Sequence, residues 1–280
     1  YIGGYFMSID AKTTWTIAGN DASGGAGIAA DLKTFAEYGT YGIASLTTVA
    51  SMRPEDWKHI VSPIPLETLE NQITTVLSKE DGVDAFKTGM IPNKEQIDLI
   101  EKIIKDHQLE DKFVLDPVMV CKGDDEVLNP ELAIGLRDQL LPLAKIVTPN
   151  LFEAGQLADV DKPTTLDQMK EAAKIIHDRG ADYVVIKGGT DIEGDKATDL
   201  FYDGNEFTTF EADKIDNGAN HGAGCTYAAA ITAGYANGLS PLEAVKKAKD
   251  FVTDGIIYGL DYNKHVSPVF HSAHRLNQDN

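Results

Sequence analysis

Strand-like and helix-like segments alternate along almost the whole of this chain of 280 residues, and nothing else in the sequence restricts its fold as much. Short β-rich runs fall at 13–18, 43–50, 83–87, 113–115, 145–148 and 183–187. Between them lie stretches of helical period at 27–38, 66–77, 94–106, 130–140, 150–157 and 166–179; in the first, Ile28, Leu32 and Phe35 recur on one face. A hairpin is expected at 200–202 and 207–210, split by Asp203-Gly204-Asn205, and the stretch 222–258 reads as two helices broken at Gly238-Leu239-Ser240-Pro241. Strand after helix after strand implies an α/β fold of three layers, a mainly parallel sheet with helices on both faces. Ligands of such folds bind beyond the carboxyl ends of the strands. The segments 19–25, 51–53, 88–90, 116–123, 150–153 and 187–190 are therefore where chemistry is expected.

No long linker or repeat divides the chain, so a single domain over 7–275 is expected. Residues 1–6 precede Met7 and read as a vector-derived addition. The polar stretch from His271 onward is expected to be loose, with 276–280 as a tail. Apolar residues make up 42% of the chain and charged residues 25%, which excludes a mainly disordered or fibrous protein. A net charge of −19 repels phosphate backbones and anionic lipid, which argues against nucleic-acid and membrane partners. With no apolar run of about 18 residues and no secretory pattern, the chain is expected to be cytoplasmic. Its 2 cysteines are too few for a disulfide scaffold, and on cysteine usage alone both could be small buried residues.

Gly25-Ala26-Gly27-Ile28-Ala29-Ala30 fits the loose dinucleotide pattern, but the acidic residue needed about 20 positions later is missing at Ala50-Ser51-Met52. A nicotinamide dehydrogenase is excluded on that ground. The absence of G-x-x-x-x-G-K-[ST] excludes a P-loop. These glycines could simply allow close packing of helix on sheet.

His221-Gly222-Ala223-Gly224-Cys225-Thr226, followed by an apolar helix, carries more weight. Small residues at a helix start leave backbone N–H groups free, and the helix dipole favours negative charge there. Gly222, Ala223 and Gly224 are thus candidates for an anion hole around a phosphate in transfer. The same field is expected to lower the pKa of Cys225. Lys187-Gly188-Gly189 follows a strand, so the lysine could neutralise phosphate while the glycines let backbone approach; it could equally be a solvated surface charge. Asp116, Asn150 and Glu153 also follow strands and offer the oxygen ligands that Mg2+ prefers, although Asn150 would also serve as a helix N-cap.

Read in order, these motifs resemble one family. The run Thr16-Ile17-Ala18-Gly19-Asn20-Asp21-Ala22-Ser23-Gly24-Gly25-Ala26-Gly27, continuing to Phe35, is similar to the opening signature of the hydroxymethylpyrimidine kinase and pyridoxal kinase group of the ribokinase superfamily. Lys87-Thr88-Gly89-Met90, Asp116-Pro117-Val118-Met119, Thr148-Pro149-Asn150-Leu151-Phe152-Glu153, Lys187-Gly188-Gly189 and the segment 221–226 follow in the same sequence. The resemblance spans about 14–275 and implies a ribokinase-like fold, ATP as co-substrate with Mg2+, and phosphorylation of a hydroxymethyl group on a small heteroaromatic ring. It further implies nucleotide contacts from Asn150, Lys187, Gly188, Gly189 and Gly224, metal positioning by Asp116 and Glu153, and commonly a homodimer.

Pyrimidine kinases of the group carry a glutamine after the second strand, where this chain has Met52. That residue, with Trp57 and His59, resembles the pyridoxal kinase branch. Cys121, in a lid segment 118–126, and Cys225 together resemble the dual-cysteine pyridoxal kinases. The resemblance implies a ring pocket of Gly19, Asp21, Met52, His59, Met90 and Val118. It also implies a hemithioacetal between Cys225 and the aldehyde, and a part for Cys121 in proton transfer. The expected activity is phosphorylation of pyridoxal, pyridoxine and pyridoxamine. A hydroxymethylpyrimidine kinase of thiamine synthesis and a non-catalytic vitamin B6 binding protein are the alternatives.

Overall fold

The computed structural model describes residues 10–119, 130–215 and 218–278. Among the described residues nine strands form one sheet: β1 (Thr13–Asp21), β2 (Tyr41–Met52), β3 (His59–Pro63), β4 (Ala85–Thr88), β5 (Phe113–Leu115), β6 (Ile146–Val147), β7 (Tyr183–Lys187), β8 (Lys196–Tyr202) and β9 (Phe207–Asp213). Their spatial order is β3-β2-β1-β4-β5-β6-β7-β8-β9. The run from β2 to β7 is parallel, whereas β3 at one end and β8 and β9 at the other are antiparallel additions. After β1 the chain turns outward to β2 and then returns past β1 to β4. The order therefore reverses beside β1, which opens a crevice at the carboxyl ends of β1 and β4.

The helices are α1 (Gly27–Glu37), α2 (Leu66–Leu77), α3 (Lys94–His107), α4 (Pro130–Gly135), α5 (Leu151–Ala158), α6 (Leu166–Asp178), α7 (Ala223–Ala236), α8 (Pro241–Ile257) and α9 (Ala273–Gln278). Side chains alternate across the parallel strands and so feed two cores. Phe113, Leu115, Val184 and Ile186 join the core under α2 to α6, while Val114, Ile146 and Val185 join the one under α1, α7 and α8. Both faces of these strands are covered, which is why they read as unbroken apolar runs. Helix α7 is buried almost all round, because it lies against α1, α8 and the sheet. Local chemistry fixes the helix starts. Asn93, Thr165 and Ser240 each accept a backbone N–H of the first turn, and Pro241 opens α8.

Several boundaries differ from those expected. Strand β1 runs on to Asp21, so Gly19 and Asp21 lie within it. The helix expected over 130–140 is α-helical only to Gly135 and widens into a π turn over Leu136–Leu140. Strand β3 gave no signal, being a short, half-exposed edge strand with a proline at its end. The described part of the stretch after His271 is not loose, since Ala273–Gln278 is helical. His271 is buried, and Ser272 and Arg275 bond to Glu37 of α1 at 2.7 and 3.0 Å. Apolar spacing is too sparse there to reveal a helix held by polar anchors, which also include His274 to Asp254 at 2.6 Å and Tyr258 to Asn277 at 3.1 Å.

Candidate functional site

The carboxyl ends of β1, β4, β5, β6 and β7 and the start of α7 surround a cavity of about 710 Å³. A second cavity of about 490 Å³ adjoins it, and Asn150, Lys187 and Gly224 line both. The first holds Gly19, Asp21, His59, Met90 and Val118 of the expected ring pocket, together with Cys225. Met52 pairs with His59 across β2 and β3 and is not among the lining residues. Gly188 and Gly189 line the second cavity, with Asn150, Lys187 and Gly224. Cys121 lies outside the described residues.

Helix α7 begins abruptly. Gly222 has φ +77°, and a β-carbon there would sit 1.8 Å from the Gly25 carbonyl oxygen, so only glycine suits this turn. The Ala223 N–H donates to the Asn220 carbonyl at 3.2 Å, which withdraws it from an anion hole. Among the described residues no hydrogen bond occupies the N–H groups of Gly222, Gly224 or Cys225. Of the three residues expected to form an anion hole, Gly222 and Gly224 keep a free N–H and Ala223 does not; the Cys225 N–H is free as well.

Charge is unusually concentrated beneath these amides. Lys187 is mostly buried and its Nζ lies 3.3 Å from Asp116 Oδ1, so it is no solvated surface residue. Thr148 donates to the same oxygen at 3.2 Å. One strand pair away, Lys87 Nζ lies 3.1 Å from Asp31 Oδ2, both side chains having 0% exposure. Thr16 Oγ1 donates to that carboxylate at 2.6 Å. Burial opposes the Lys87 charge, but Asp31 and Asp116 outweigh it and hold the ammonium. Glu153 caps its own helix reciprocally with Asn150: the Asn150 N–H donates to Glu153 Oε2 at 2.8 Å and the Glu153 N–H to Asn150 Oδ1 at 2.8 Å. Burial lifts the Glu153 carboxyl to about 7, with Asp116 adding to the rise and Lys187 opposing it.

The expectation for Cys225 is overturned. Burial pushes its thiol up to about 12, and the neighbouring Asp116 charge adds to the rise. Lys87 and an N–H from Gly27 act the other way and do not compensate. Desolvation and a nearby carboxylate therefore outweigh the helix start, and the thiol rests neutral. Asp21 goes the opposite way. Burial alone would raise it, but hydrogen bonds from His221 and Ser23 hold it below the usual carboxylate range.

Lys87, Asp31 and His221 stood in the quoted motifs without a role. A lysine in a strand that is buried at every position was the available signal for the first of them. Among the described residues no group of three His, Cys, Asp or Glu side chains could hold a metal, and no helix is long and apolar enough to cross a membrane.

With this geometry in place, the relationships of the chain are specific. The family model described as phosphomethylpyrimidine kinase matches residues 21–270. The pyridoxine kinase of Bacillus subtilis is 51% identical over 264 residues, 94% of this chain and 97% of that one. The crystal structure of an ADP complex of Bacillus subtilis pyridoxal kinase superposes with a TM-score of 0.91 at 50% identity, covering 95% of this chain and 100% of that one. Pyridoxal kinase from Staphylococcus aureus, in complex with AMP-PCP and pyridoxal, gives a TM-score of 0.87 at 46% identity, covering 94% of each chain.

A thiol near 12 is about one part in 10⁵ thiolate at neutral pH, and that fraction grows about tenfold per pH unit. Alkylation of Cys225 by iodoacetamide, read on its own peptide by mass spectrometry, should therefore rise by about tenfold per unit from pH 7 to pH 9 in the substrate-free protein. A plateau below pH 8 would show that the helix start wins after all.

Proposed function

The chain belongs to the phosphomethylpyrimidine kinase family, and from that premise we propose that it transfers the γ-phosphoryl group of ATP to the 5′-hydroxymethyl group of pyridoxal, pyridoxine and pyridoxamine in vitamin B6 salvage. The observation that carries this reading is the meeting of two cavities at Lys187 and Gly224. One has a thiol and a carboxylate suited to an aldehyde-bearing ring; the other has the glycine loop after β7. About half-identity to a pyridoxine kinase over nearly the full length supports the choice of substrate.

In this reading the ring lies among Gly19, Asp21, His59, Met90 and Val118, with Met52 behind His59. The Cys225 thiol adds to the aldehyde: a carbon–sulfur bond forms, and the thiol proton ends on the former carbonyl oxygen. No net proton is gained or lost, so a neutral resting thiol is compatible with the product. The adduct fixes the neighbouring hydroxymethyl group before the amides of Gly222 and Gly224. Asn150, Gly188 and Gly189 hold the nucleotide, and Lys187 meets the phosphate charge. The alcohol oxygen displaces ADP at the γ-phosphorus, and the amides meet the charge that spreads over the transferring oxygens.

Carboxylate oxygens suit Mg2+, which keeps several waters and takes the rest of its shell from phosphate. Asp116 and Glu153 would hold it. Glu153 accepts backbone N–H groups of Asn150 and Met119, which suits positioning through water. When bound, the ion neutralises phosphate charge. Cys121 completes a dual-cysteine site by similarity and takes part in proton transfer from the alcohol. A homodimer and a cytoplasmic setting belong to the same proposal.

Purified protein with ATP and Mg2+ should turn over pyridoxal at least about tenfold more efficiently than hydroxymethylpyrimidine, since the site lacks the pyrimidine-reading glutamine. Efficient turnover of hydroxymethylpyrimidine with pyridoxal left unphosphorylated would reverse the assignment. Pyridoxine carries an alcohol where pyridoxal has its aldehyde and cannot form the adduct. Cys225→Ala should accordingly abolish the pyridoxal absorbance change and cost pyridoxal turnover more than pyridoxine turnover. An adduct spectrum surviving in that variant would remove Cys225 from the chemistry.

A further inference from the structure

His221 sits one residue before the anion hole, yet its imidazole points away from the phosphate end and into the loop that follows β1. Its Nε2 lies 2.6 Å from Asp21 Oδ2. A carboxylate below its usual range can only accept, so the ring nitrogen donates. The Ser23 hydroxyl lies 3.4 Å from the same nitrogen, and the Ser23 N–H donates to Asp21 Oδ1 at 2.7 Å. Both His221 and Asp21 are buried at the cavity wall.

The backbone around the ring is equally constrained. A β-carbon at Gly25 would lie 2.6 Å from His221 Cδ2, so the loop presses flat against the imidazole. The His221 N–H donates to the Ser267 carbonyl at 3.2 Å, and its own carbonyl accepts from Val269 at 3.1 Å. One residue therefore ties three segments together: the loop 21–25, the helix start 222–224 and the strand-like segment 267–269.

We infer that His221 is a positioning residue that locks the acceptor-ring loop to the anion hole, so that the two halves of the site are set as one rigid unit. The inference rests on the kinase reading for what each half binds, but the lock itself is a property of the chain. The two loops come from places 200 positions apart in sequence. The Gly27 N–H on the Cys225 sulfur joins the neighbouring helix starts, whereas the bond from His221 to Asp21 is the side-chain tie between the loop 21–25 itself and the anion-hole segment. Phosphoryl transfer depends on placing the alcohol oxygen in line with the phosphorus, and a displacement of about 1 Å can cost on the order of 100-fold in rate. A donor fixed at both ends supplies that alignment without touching the reacting atoms.

The test uses the full chain and three variants, His221→Ala, His221→Gln and Asp21→Asn. Amide hydrogen exchange is followed in peptides covering 19–27 and 219–226, beside kcat and KM for pyridoxal and for ATP. His221→Ala should raise exchange in both segments together and lower kcat by about 100-fold, with the KM for ATP within about threefold. His221→Gln, whose amide nitrogen can still donate to Asp21, should recover turnover to within about fivefold. Asp21→Asn should raise exchange in 219–226 as well as in its own loop. The inference is overturned if His221→Ala loosens only its own segment, or if the glutamine variant is as impaired as the alanine one. Should the alanine variant fail to fold, the other two decide: exchange in Asp21→Asn raised only in its own loop, or a loss of kcat near 100-fold in His221→Gln, overturns the inference. Exchange needs no substrate, so a protein that left pyridoxal unphosphorylated would defeat the kinase reading while still deciding the clamp.

Discussion

Two buried lysine–carboxylate pairs at the carboxyl edge of the parallel sheet set the terms for everything around them. Lys87 with Asp31 and Lys187 with Asp116 place two ammonium groups beneath a helix start whose amides face the same cavity. Taking such charges out of water costs several kcal/mol per ion, and losing one partner of a buried pair typically costs about 3–5 kcal/mol. A chain that only needed stability would do as well with apolar side chains here. In the proposed reading the pairs supply a preset field at the cavity wall, with the Lys187 ammonium held ready for an anionic ligand.

Two carboxyls and the thiol that face the cavity do not behave alike, and the balance of burial against hydrogen bonding sets each. Asp21 is held below its usual range by His221 and Ser23 despite burial, while burial raises Glu153 to about 7 and Cys225 to about 12. The hydrogen bonds from His221 and Ser23 separate Asp21 from the other two, in which burial wins. For Cys225 burial decides, reinforced by Asp116. A neutral thiol suits a reversible addition in which its proton moves to the aldehyde oxygen.

Much of the architecture was legible in the residues, because parallel strands covered on both faces leave continuous apolar runs and helices leave a 3.6-residue period. The boundaries of α2 and β5 follow from this alone. Strand β3 and helix α9 did not, since each depends on other segments: β3 on pairing with β2, α9 on Glu37 of α1 and Asp254 of α8. The site divides the same way. Glycines at a helix start and a lysine after a strand can be read locally. Burial of that lysine, the engagement of Ala223, the raised Cys225 thiol and the His221 bond to Asp21 all require the fold to bring separate segments together.

The central physical claim is that Lys187 serves the charged end of a nucleotide while the glycine loop and second cavity take the rest. Calorimetric binding of AMP-PCP and of adenosine to the protein and to Lys187→Met addresses it directly. The field described above predicts that the substitution weakens AMP-PCP by at least about tenfold and leaves adenosine within about twofold. Unchanged AMP-PCP affinity, or equal losses for both ligands, would contradict it.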